Sequence, residues 1–481
     1  MLSFAELNLS VVPELVLVII GIIILLIEGV SKRLSKYAGI IALAALIAII
    51  FYVMFYIWGS NTKGYYNSII LDNFALFASL IYLIAGVLII LASISYLDIK
   101  GIHAGEFYAL LLFAIAAMIF ISSANDLIAI FISLEIFSIC LYALVAFERG
   151  SKKGIEGATK YFILGAFSAG ILLYGLVLIY GAVGSTNLSV FKDIHNLTSE
   201  QKLLLYFGSA LLLVGLAFKI SLVPFHMWTP DAYEGAPTVI TAFMAAATKT
   251  AAFTVLIRVF MLTSLGETIS IQWILWVLAV ITMVVGNLIA LAQNNIKRML
   301  AFSSIAHAGY ITVGVVASYA DKEVIASVMY YLIVYAIMNS GAFIVISYLE
   351  DENNYLSIEH YKGLGYRKPW VALALSWFLF CLAGLPPTSG FLAKYYVFLM
   401  AIKKGFPILV VIAVLNSALA AFYYLRIIGY MWMHAKEQGK PIPKRDQELV
   451  ISSIIAIILA LILTLQLSFM PARFLQMVST F

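Results

Sequence analysis

The chain has 481 residues, of which 64% are hydrophobic and only 11% are charged. A soluble domain of average composition carries about 25% charged residues, so the composition excludes water-soluble and peripheral proteins. Long apolar runs, such as 11–27, 40–57 and 450–467, can each cross a hydrocarbon core of about 30 Å as a helix. The net charge of +5 does not indicate a nucleic-acid partner. The basic residues lie in short loops between apolar runs, where they set orientation.

These runs predict an all-α integral membrane protein of about fourteen transmembrane helices. We number them in chain order, with bounds 12–28, 38–58, 72–96, 106–122, 126–147, 158–184, 203–232, 238–261, 272–292, 298–318, 324–349, 369–402, 407–432 and 448–469. The N-terminus lacks a positive segment and a small-residue cleavage site. We therefore expect the first run to be a retained helix rather than a signal peptide.

Helices 7 and 12 are longer than one crossing needs, and each contains proline. Helix 7 holds Lys219-Ile-Ser-Leu-Val-Pro224, and helix 12 holds Gly384-Leu-Pro-Pro-Thr-Ser-Gly390. Proline removes a backbone donor and clashes with the preceding turn, so both helices are predicted to be broken there. Paired broken helices in two halves of a membrane protein are typical of a transport site.

Basic residues in the loops predict an orientation. The odd-numbered loops carry about sixteen Lys and Arg, whereas the even-numbered loops and the termini carry about seven. By the positive-inside rule the odd loops are cytoplasmic, so both termini are expected on the outer side.

A weak internal repeat relates helices five apart. Glu135 in helix 5 and His307 in helix 10 each fall six residues after an alanine, Ala129 and Ala301. Further matches join Gly215-Leu-Ala to Cys381-Leu-Ala and Ala251-Ala-Phe to Ala420-Ala-Phe. Because five is odd, the copies would have opposite topology, which predicts two inverted five-helix repeats, helices 4–8 and 9–13. The expected division is 1–105 (helices 1–3), 106–265 and 266–435 (the two repeats), and 436–481 (helix 14).

Titratable residues inside the apolar runs are the candidate site. Charges at bilayer depth cost about 2.5–3.5 kcal/mol on insertion scales, so they are rare and usually functional. Burial lowers the pKa of a lysine and a nearby carboxylate raises it, so a Glu–Lys pair can load and release a proton. We expect Glu135 and Lys219 to form such a pair. The repeat is asymmetric, since Lys249 corresponds to Ala418, which favours one proton path crossing between the halves. The candidates are Glu135, Lys160, Lys219, Lys249, His307 and Lys394.

Several of these residues have a structural alternative. Lys160 lies close to the expected loop 150–157 and could extend to the interface, as Arg258 and Arg426 are expected to do. His307 could instead be a neutral core histidine. A structural ion pair could account for two of the buried charges, but not for Glu135 and all of Lys219, Lys249 and Lys394.

Three residues beside the helix 7 break are weaker candidates. His226 could face water or cap the broken helix. Asp231 and Glu234 are expected to be solvated. Cys140 and Cys381 lie in apolar segments without metal or disulfide spacing, so we interpret them as core residues.

Three segments together resemble the signature of subunit N of bacterial respiratory complex I. They are Trp228-Thr-Pro-Asp-Ala-Tyr-Glu-Gly-Ala-Pro237 with Thr241-Ala-Phe-Met-Ala-Ala-Ala-Thr-Lys249-Thr-Ala-Ala-Phe253, the run from Gly286-Asn-Leu to Ser-Ile-Ala-His-Ala-Gly-Tyr310, and Pro386-Pro-Thr-Ser-Gly-Phe-Leu-Ala-Lys394. The resemblance covers essentially the whole chain. It implies an antiporter-like subunit of NADH:quinone oxidoreductase, in which redox energy drives protons across the membrane.

The resemblance also implies residue roles. Glu135 resembles a helix 5 glutamate that modulates the helix 7 lysine, here Lys219. Lys249 resembles a central lysine and Lys394 the residue nearest the outward exit, while Lys160 and His307 match polar positions on the central axis. A lysine at position 394 favours subunit N over subunit M, which carries glutamate there. The segment 468–481 is expected to be too short for the lateral helix of subunit L, which also favours subunit N.

The implied setting is the bacterial inner membrane, beside subunits M, K and J and lipids. No redox cofactor is expected in this chain, because flavin, iron–sulfur clusters and quinone belong to partner subunits. The alternative is a subunit of a multi-subunit Na⁺/H⁺ antiporter, which shares the fold and the lysines. An organic-solute transporter would need a substrate-sized polar cavity, and a membrane scaffold would not need four buried charges.

Overall fold

The computed structural model describes residues 11–31, 35–102, 105–192, 197–268, 271–350, 356–433 and 451–479. Thirteen helices in this part of the chain are long and apolar enough to cross a membrane. Helices 1–11 span Val12–Val30, Ala38–Ile57, Asn73–Lys100, Gly105–Ser123, Leu127–Val145, Lys152–Val183, Ser199–Ile220, Thr238–Met261, Ile271–Leu291, Ile296–Ala317 and Lys322–Leu349; helices 13 and 14 span Pro407–Met433 and Ile451–Phe469. Helix 12 is divided into Pro369–Ala383 and Ser389–Lys403. The predicted all-α membrane fold is therefore confirmed.

Helix 6 begins earlier than predicted. It starts at Lys152, where the Ser151 hydroxyl accepts a 3.0 Å hydrogen bond from the Gly154 amide. Such a cap satisfies one of the free donors at a helix N-terminus. The loop expected at 150–157 is thus mostly helical, and Lys160 lies in the third turn of the helix instead of beside a loop.

Helix 7 is broken where the sequence predicts. It ends at Ile220, and the chain resumes helical structure at Trp228–Gly235 before helix 8. The residue after the last helical one, Ser221, has a φ of 70°. Helix 12 breaks in a similar way after Ala383, where Gly384 has a φ of 77°. Both ends use the left-handed conformation that terminates helices.

Shorter elements connect the crossings. An antiparallel pair of strands, Thr62–Gly64 and Ile69–Leu71, follows helix 2, with Thr62 opposite Leu71. The sequence analysis did not predict it. The remaining elements are the 3₁₀ helices Leu188–Lys192 and Ile358–Tyr361, and the short helices Leu265–Thr268, Leu364–Arg367 and Pro471–Ser479.

The helices form a core and a surrounding layer. Helices 3, 8, 10 and 11 are buried on nearly every side, whereas helices 1, 2, 6, 9, 13 and 14 each bury only part of their surface. Between helices 6 and 7 the backbones approach closely, since a Cβ on Gly175 would lie 2.6 Å from the Gly208 carbonyl oxygen. Small residues permit such contacts between membrane helices. The candidate residues on helices 8 and 10 are thereby kept away from lipid.

Consecutive loops lie at opposite ends of the bundle. Among even loops, Ile69 pairs with Ala124 and Asp126 pairs with Asn187. Among odd loops, Asn295 pairs with Ser357. This alternation fits a multi-pass topology of fourteen crossings. The cytoplasmic position of the odd loops, and the inversion symmetry between helices 4–8 and 9–13, stay predictions.

Candidate functional site

Lys219 lies in the last turn of helix 7, directly before the break. Its buried ammonium donates a 2.6 Å hydrogen bond to the Ser138 hydroxyl of helix 5. The Phe218 carbonyl, freed by the break, accepts a 3.0 Å hydrogen bond from the Trp228 indole. The Val223 amide donates to Thr282 at 3.0 Å. The broken backbone is therefore satisfied inside the protein, as the membrane interior requires.

Glu135 lies one turn before Ser138 on helix 5 and is half-buried. It is within electrostatic range of Lys219, but the two groups make no ion pair within 4 Å. The predicted pair is thus indirect in this structure, and the Ser138 hydroxyl accepts the hydrogen bond that the Lys219 ammonium donates.

Lys394 occupies the corresponding place at the helix 12 break. Its ammonium donates to the Ala383 carbonyl at 3.0 Å and to the Ser417 hydroxyl of helix 13 at 2.8 Å. Ala383 ends the first half of helix 12, where unpaired carbonyls carry partial negative charge that stabilises a cation. Gly384 has a positive φ and lies close to Lys394, since a Cβ on it would be 3.0 Å from the lysine Cδ.

Lys249 lies at the centre of the core on helix 8. Its ammonium donates a 2.7 Å hydrogen bond to the Ser304 carbonyl of helix 10. The turn before it, Met244–Thr248, is a π-helix, and a second π segment covers Ile257–Met261. π turns inside α-helices occur frequently at functional sites. The sequence analysis missed both segments, because a π turn leaves hydrophobicity unchanged.

His307 lies in a cluster of hydroxyl groups, one helical turn after the residue that holds Lys249. Its Nδ1 lies 2.9 Å from the Tyr331 hydroxyl and its Nε2 lies 3.3 Å from that of Tyr424. The Tyr424 hydroxyl is also hydrogen-bonded to Ser303. Ser304, whose carbonyl holds Lys249, is one turn before His307 on the same helix. The histidine is therefore hydrogen-bonded on both ring nitrogens rather than packed as an apolar core residue.

The same cluster continues to Lys394. The Asn287 amide donates to the Tyr310 hydroxyl at 2.9 Å and its carbonyl accepts from Tyr423 at 3.0 Å. The Lys394 ammonium lies 4.8 Å from the centre of the Tyr310 ring. Sequence analysis did not single out these residues. Asn287 and Tyr310 are the second and the last residue of the quoted segment 286–310, and their position there was the available signal.

Lys160 differs from the other candidates. Its side chain is 44% exposed and pairs with Glu156 at 2.6 Å and with Asp231 at 2.8 Å. Arg298 contacts Asp231 and Glu234 at 2.8 Å each. Asp231 and Glu234 are therefore members of an ion-pair network, which corrects the expectation that they are simply solvated.

Both candidate interfacial arginines are held inside the protein. Arg258 is buried and makes two hydrogen bonds to the Asp72 carboxylate, at 2.8 and 3.1 Å. Arg426 donates to the carbonyls of Leu291 and Gln293, at 3.3 and 2.5 Å, and so caps the C-terminus of helix 9. Each arginine finds its acceptors at the end of a neighbouring helix, and the expectation that both extend to the membrane interface stays a prediction.

His226 is buried, so its side chain does not face water. Its carbonyl accepts a 3.0 Å hydrogen bond from the Thr229 amide, at the start of the second half of helix 7. Cys140 and Cys381 are buried free thiols, as expected. No group of three or more His, Cys, Asp or Glu that could hold a metal ion occurs within the described ranges.

Comparisons with known proteins agree with this architecture. The family model described as "NADH:quinone oxidoreductase/Mrp antiporter, TM" matches residues 124–420. The NADH-quinone oxidoreductase subunit N of Trichlorobacter lovleyi is 42% identical over 441 residues, covering 90% of each chain. The chain belongs to the NADH-quinone oxidoreductase subunit N family.

Two solved structures show the same fold as this member of the subunit N family. One is a chain of respiratory complex I from Thermus thermophilus with bound aureothin, with a TM-score of 0.81 and 31% identity; the match covers 97% of this chain and 99% of that one. The other is a chain of the Mrp complex from Dietzia, with a TM-score of 0.83 and 21% identity, covering 99% and 97%. The second likeness concerns the fold alone. The higher identity to subunit N sequences favours that family over the antiporter alternative.

Proposed function

We propose that this chain is a proton-translocating membrane subunit of an NADH:quinone oxidoreductase, driven by quinone reduction elsewhere in the complex. The observation that carries the proposal is the series Lys219, Lys249, His307 and Lys394, four titratable side chains buried in the middle of the bundle. Such groups are expensive at membrane depth, so a structural role alone does not account for them.

In the proposed path the proton moves laterally through the core. Lys219 exchanges with Lys249, which passes the proton to His307. The hydroxyl cluster of Tyr424, Tyr423 and Tyr310 leads onward to Lys394, and gaps longer than a hydrogen bond are bridged by water. Glu135 modulates Lys219 by charge, and Lys160 with its exposed ion pairs would act at the rim of the path.

The proposal includes the surroundings of the chain. Its place is the bacterial inner membrane, next to subunits M, K and J, with the odd loops cytoplasmic and both termini outside. The inverted units 106–265 and 266–435 would each supply one broken helix, with 1–105 and 436–481 packed around them. Flavin, iron–sulfur clusters and quinone would be held by partner subunits.

Purification separates this function from sodium/proton exchange. The membrane complex should be isolated in mild detergent and its subunits identified. Co-purification with flavin- and iron–sulfur-containing subunits supports the proposal. A redox-free assembly that exchanges Na⁺ for H⁺ in vesicles contradicts it.

The function itself is tested in sealed vesicles, with quinone reduction and proton uptake measured together. Lys249→Met and Lys394→Met remove the titratable group while conserving side-chain volume. Both variants should assemble and lose proton uptake. The exposed Lys403→Met, at the end of helix 12, is the matched control. Wild-type rates and proton-to-electron ratios in both core variants would overturn the proposal.

A further inference from the structure

A polar cavity of about 430 Å³ opens at the end of the bundle formed by the odd loops. We call it the charged cavity, and its charged wall consists of Lys100, Glu148, Lys153, Glu234, Lys297 and Glu350. These residues come from loop 5, from the C-terminal ends of helices 3, 7 and 11, and from the beginnings of helices 6 and 10. The candidate site described above uses none of Lys100, Glu148, Lys297 and Glu350.

The charges of the cavity form a series of decreasing exposure. The Glu148 side chain is 33% exposed, Lys100 is 11% exposed and Glu350 is 6% exposed. The Lys100 ammonium lies 3.6 Å from the Glu148 carboxylate and 3.7 Å from that of Glu350. This series leads from the surface to a carboxylate that is shielded from solvent.

The inner end of the series touches helix 8. The Thr238 hydroxyl donates a hydrogen bond to Glu350, and Thr238 is the first residue of that helix. Lys249 is eleven residues further along, which corresponds to about 16 Å of helix. One element therefore connects the inner carboxylate with the central lysine.

Helix 10 makes a second connection. Its Lys297 is 2% exposed and donates a 2.6 Å hydrogen bond to the Ala236 carbonyl, within the cavity wall. Ser304, whose carbonyl accepts the hydrogen bond from Lys249, is two turns later and so lies on the same face of the helix. Both helices that hold the Lys249 ammonium thus begin in the charged cavity.

We propose that the charged cavity is the mouth through which protons reach Lys249, with Glu350 as its inner proton acceptor. This inference rests on the proposed function. It adds the end of the bundle at which protons enter and the residues that carry them to Lys249. Glu350 takes a proton from solvent by way of Glu148 and Lys100, and becomes a neutral acid. It then gives that proton, through the Thr238 hydroxyl and intervening water, to the neutral amine of Lys249, and returns to the carboxylate.

Charged and titratable groups from several elements face Glu350. They are Lys100 of helix 3, Glu148 of loop 5, Lys297 of helix 10, Tyr96 of helix 3, and the cavity residues Glu234, Lys153 and His360. Together with Glu350 the set holds three glutamates and three lysines, so their formal charges cancel.

The test is the pH dependence of redox-coupled proton uptake by the assembled complex in sealed vesicles. Glu350→Gln removes the acceptor and keeps a hydrogen-bonding side chain. Uptake in this variant then depends on protons that arrive directly from bulk water, which are scarcer at high pH. Relative to wild type, its uptake rate should therefore fall about tenfold more at about pH 8.5 than at about pH 6.5. Glu350→Asp should restore most of the wild-type profile. The exposed Glu359→Gln in the same loop is the control.

Each result decides the question. The inference is overturned if the pH profile of proton uptake in Glu350→Gln is parallel to that of wild type, whatever the absolute rate. A merely structural ion pair would change the uptake rate equally at every pH. If Glu350→Gln fails to assemble, the outer Glu148→Gln replaces it with the same expected profile. Lys249→Met is measured in parallel. Loss of uptake in that variant with a parallel Glu350→Gln profile refutes only the uptake mouth, whereas wild-type uptake in both Lys249→Met and Lys394→Met refutes the proposed function itself.

Discussion

The Lys249 ammonium is held by the backbone carbonyl of Ser304, 2.7 Å away, and by no carboxylate within ion-pair distance among the described residues. A carbonyl oxygen carries only part of a charge, so it positions the ammonium without the strong stabilisation that a carboxylate gives to the protonated form. The preceding π turn, Met244–Thr248, rotates the lysine out of the regular α-helical register. This arrangement favours reversible loss of the proton.

Lys249→Arg is therefore expected to behave like Lys249→Met. Arginine keeps the positive charge and can reach the Ser304 carbonyl, but it stays protonated and cannot release its proton. Proton uptake by the assembled complex in sealed vesicles should be lost, while the amount of complex in the membrane stays unchanged. Uptake at the wild-type rate would mean that Lys249 acts as a fixed charge only.

Glu135→Gln tests charge modulation across Ser138. The amide has nearly the same shape as the carboxylate, so folding and assembly should be unaffected. Loss of the negative charge weakens the attraction for protonated Lys219, and turnover should fall several-fold, by about 1 kcal/mol of lost interaction. Quinone reductase activity at low and high salt is the measurement. A normal rate in the variant would show that the half-buried glutamate does not modulate Lys219.

The Arg258–Asp72 pair is expected to stabilise the C-terminal end of helix 8 against the start of helix 3. Asp72→Asn keeps the helix cap, because asparagine is also a good N-cap residue, and removes only the charge. Each of Asp72→Asn and Arg258→Gln should cost about 3–5 kcal/mol, the typical effect of leaving a buried charge unpaired. The double variant should cost less than their sum. Thermal unfolding of the purified complex is measured for wild type, both single variants and the double variant, which together form a double-mutant cycle. Additive effects of the two substitutions would contradict the pairing.

Much of the fold follows from hydropathy, because every crossing needs a long apolar run. The breaks in helices 7 and 12 follow from proline, and the buried lysines stand out as charges in apolar sequence. Partners distant in sequence were not predictable, as Asp72 and Arg258 illustrate, since a single sequence does not say which helices meet. Lys160 is predicted near the start of helix 6 but lies in its third turn, because the helix begins at the Ser151 cap, which gives only a weak local signal.

Asp321 provides a pH-dependent contact outside the membrane spans. It caps helix 11 and pairs with Lys404 at 2.5 Å, and the hydrogen bond from that ammonium holds the pKa of the carboxyl below its usual value of 3.8. A lowered folded-state pKa means that the pair stabilises the protein above about pH 4, and that the contribution is lost as the pH falls through the folded value.

Asp321→Asn keeps the cap and removes this contribution. The variant should unfold at a lower temperature than wild type at about pH 7. Its free energy of unfolding should be lower by at most about 1 kcal/mol, because the pair is so exposed. The difference should shrink as the pH approaches about 3. Glu323→Gln, in the same turn, is the control. An equal difference at both pH values would show that the ion pair is not responsible.

Tyr424 is the sharpest test of the path between Lys249 and Lys394. Its hydroxyl is hydrogen-bonded to Ser303 and lies 3.3 Å from the Nε2 of His307. Among the described residues, it is the only helix 13 group that hydrogen-bonds to the histidine. Tyr424→Phe removes only that oxygen and leaves the ring in place. A buried partner left unsatisfied costs about 1–3 kcal/mol. If the activation free energy of proton transfer rises by the same amount, the rate of transfer drops by a factor of about 5 to 150.

The expected result is slower proton uptake with a larger effect of replacing H₂O by D₂O, because proton transfer becomes more rate-limiting. Tyr366→Phe is the matched control, since the exposed Tyr366 hydroxyl donates a single 2.9 Å hydrogen bond to the Trp432 carbonyl at the bundle surface. A merely structural role for Tyr424 would lower the unfolding temperature and leave the isotope effect unchanged. That outcome, or uptake at the wild-type rate, would exclude Tyr424 from the path and require protons to reach Lys394 without passing from His307 to helix 13.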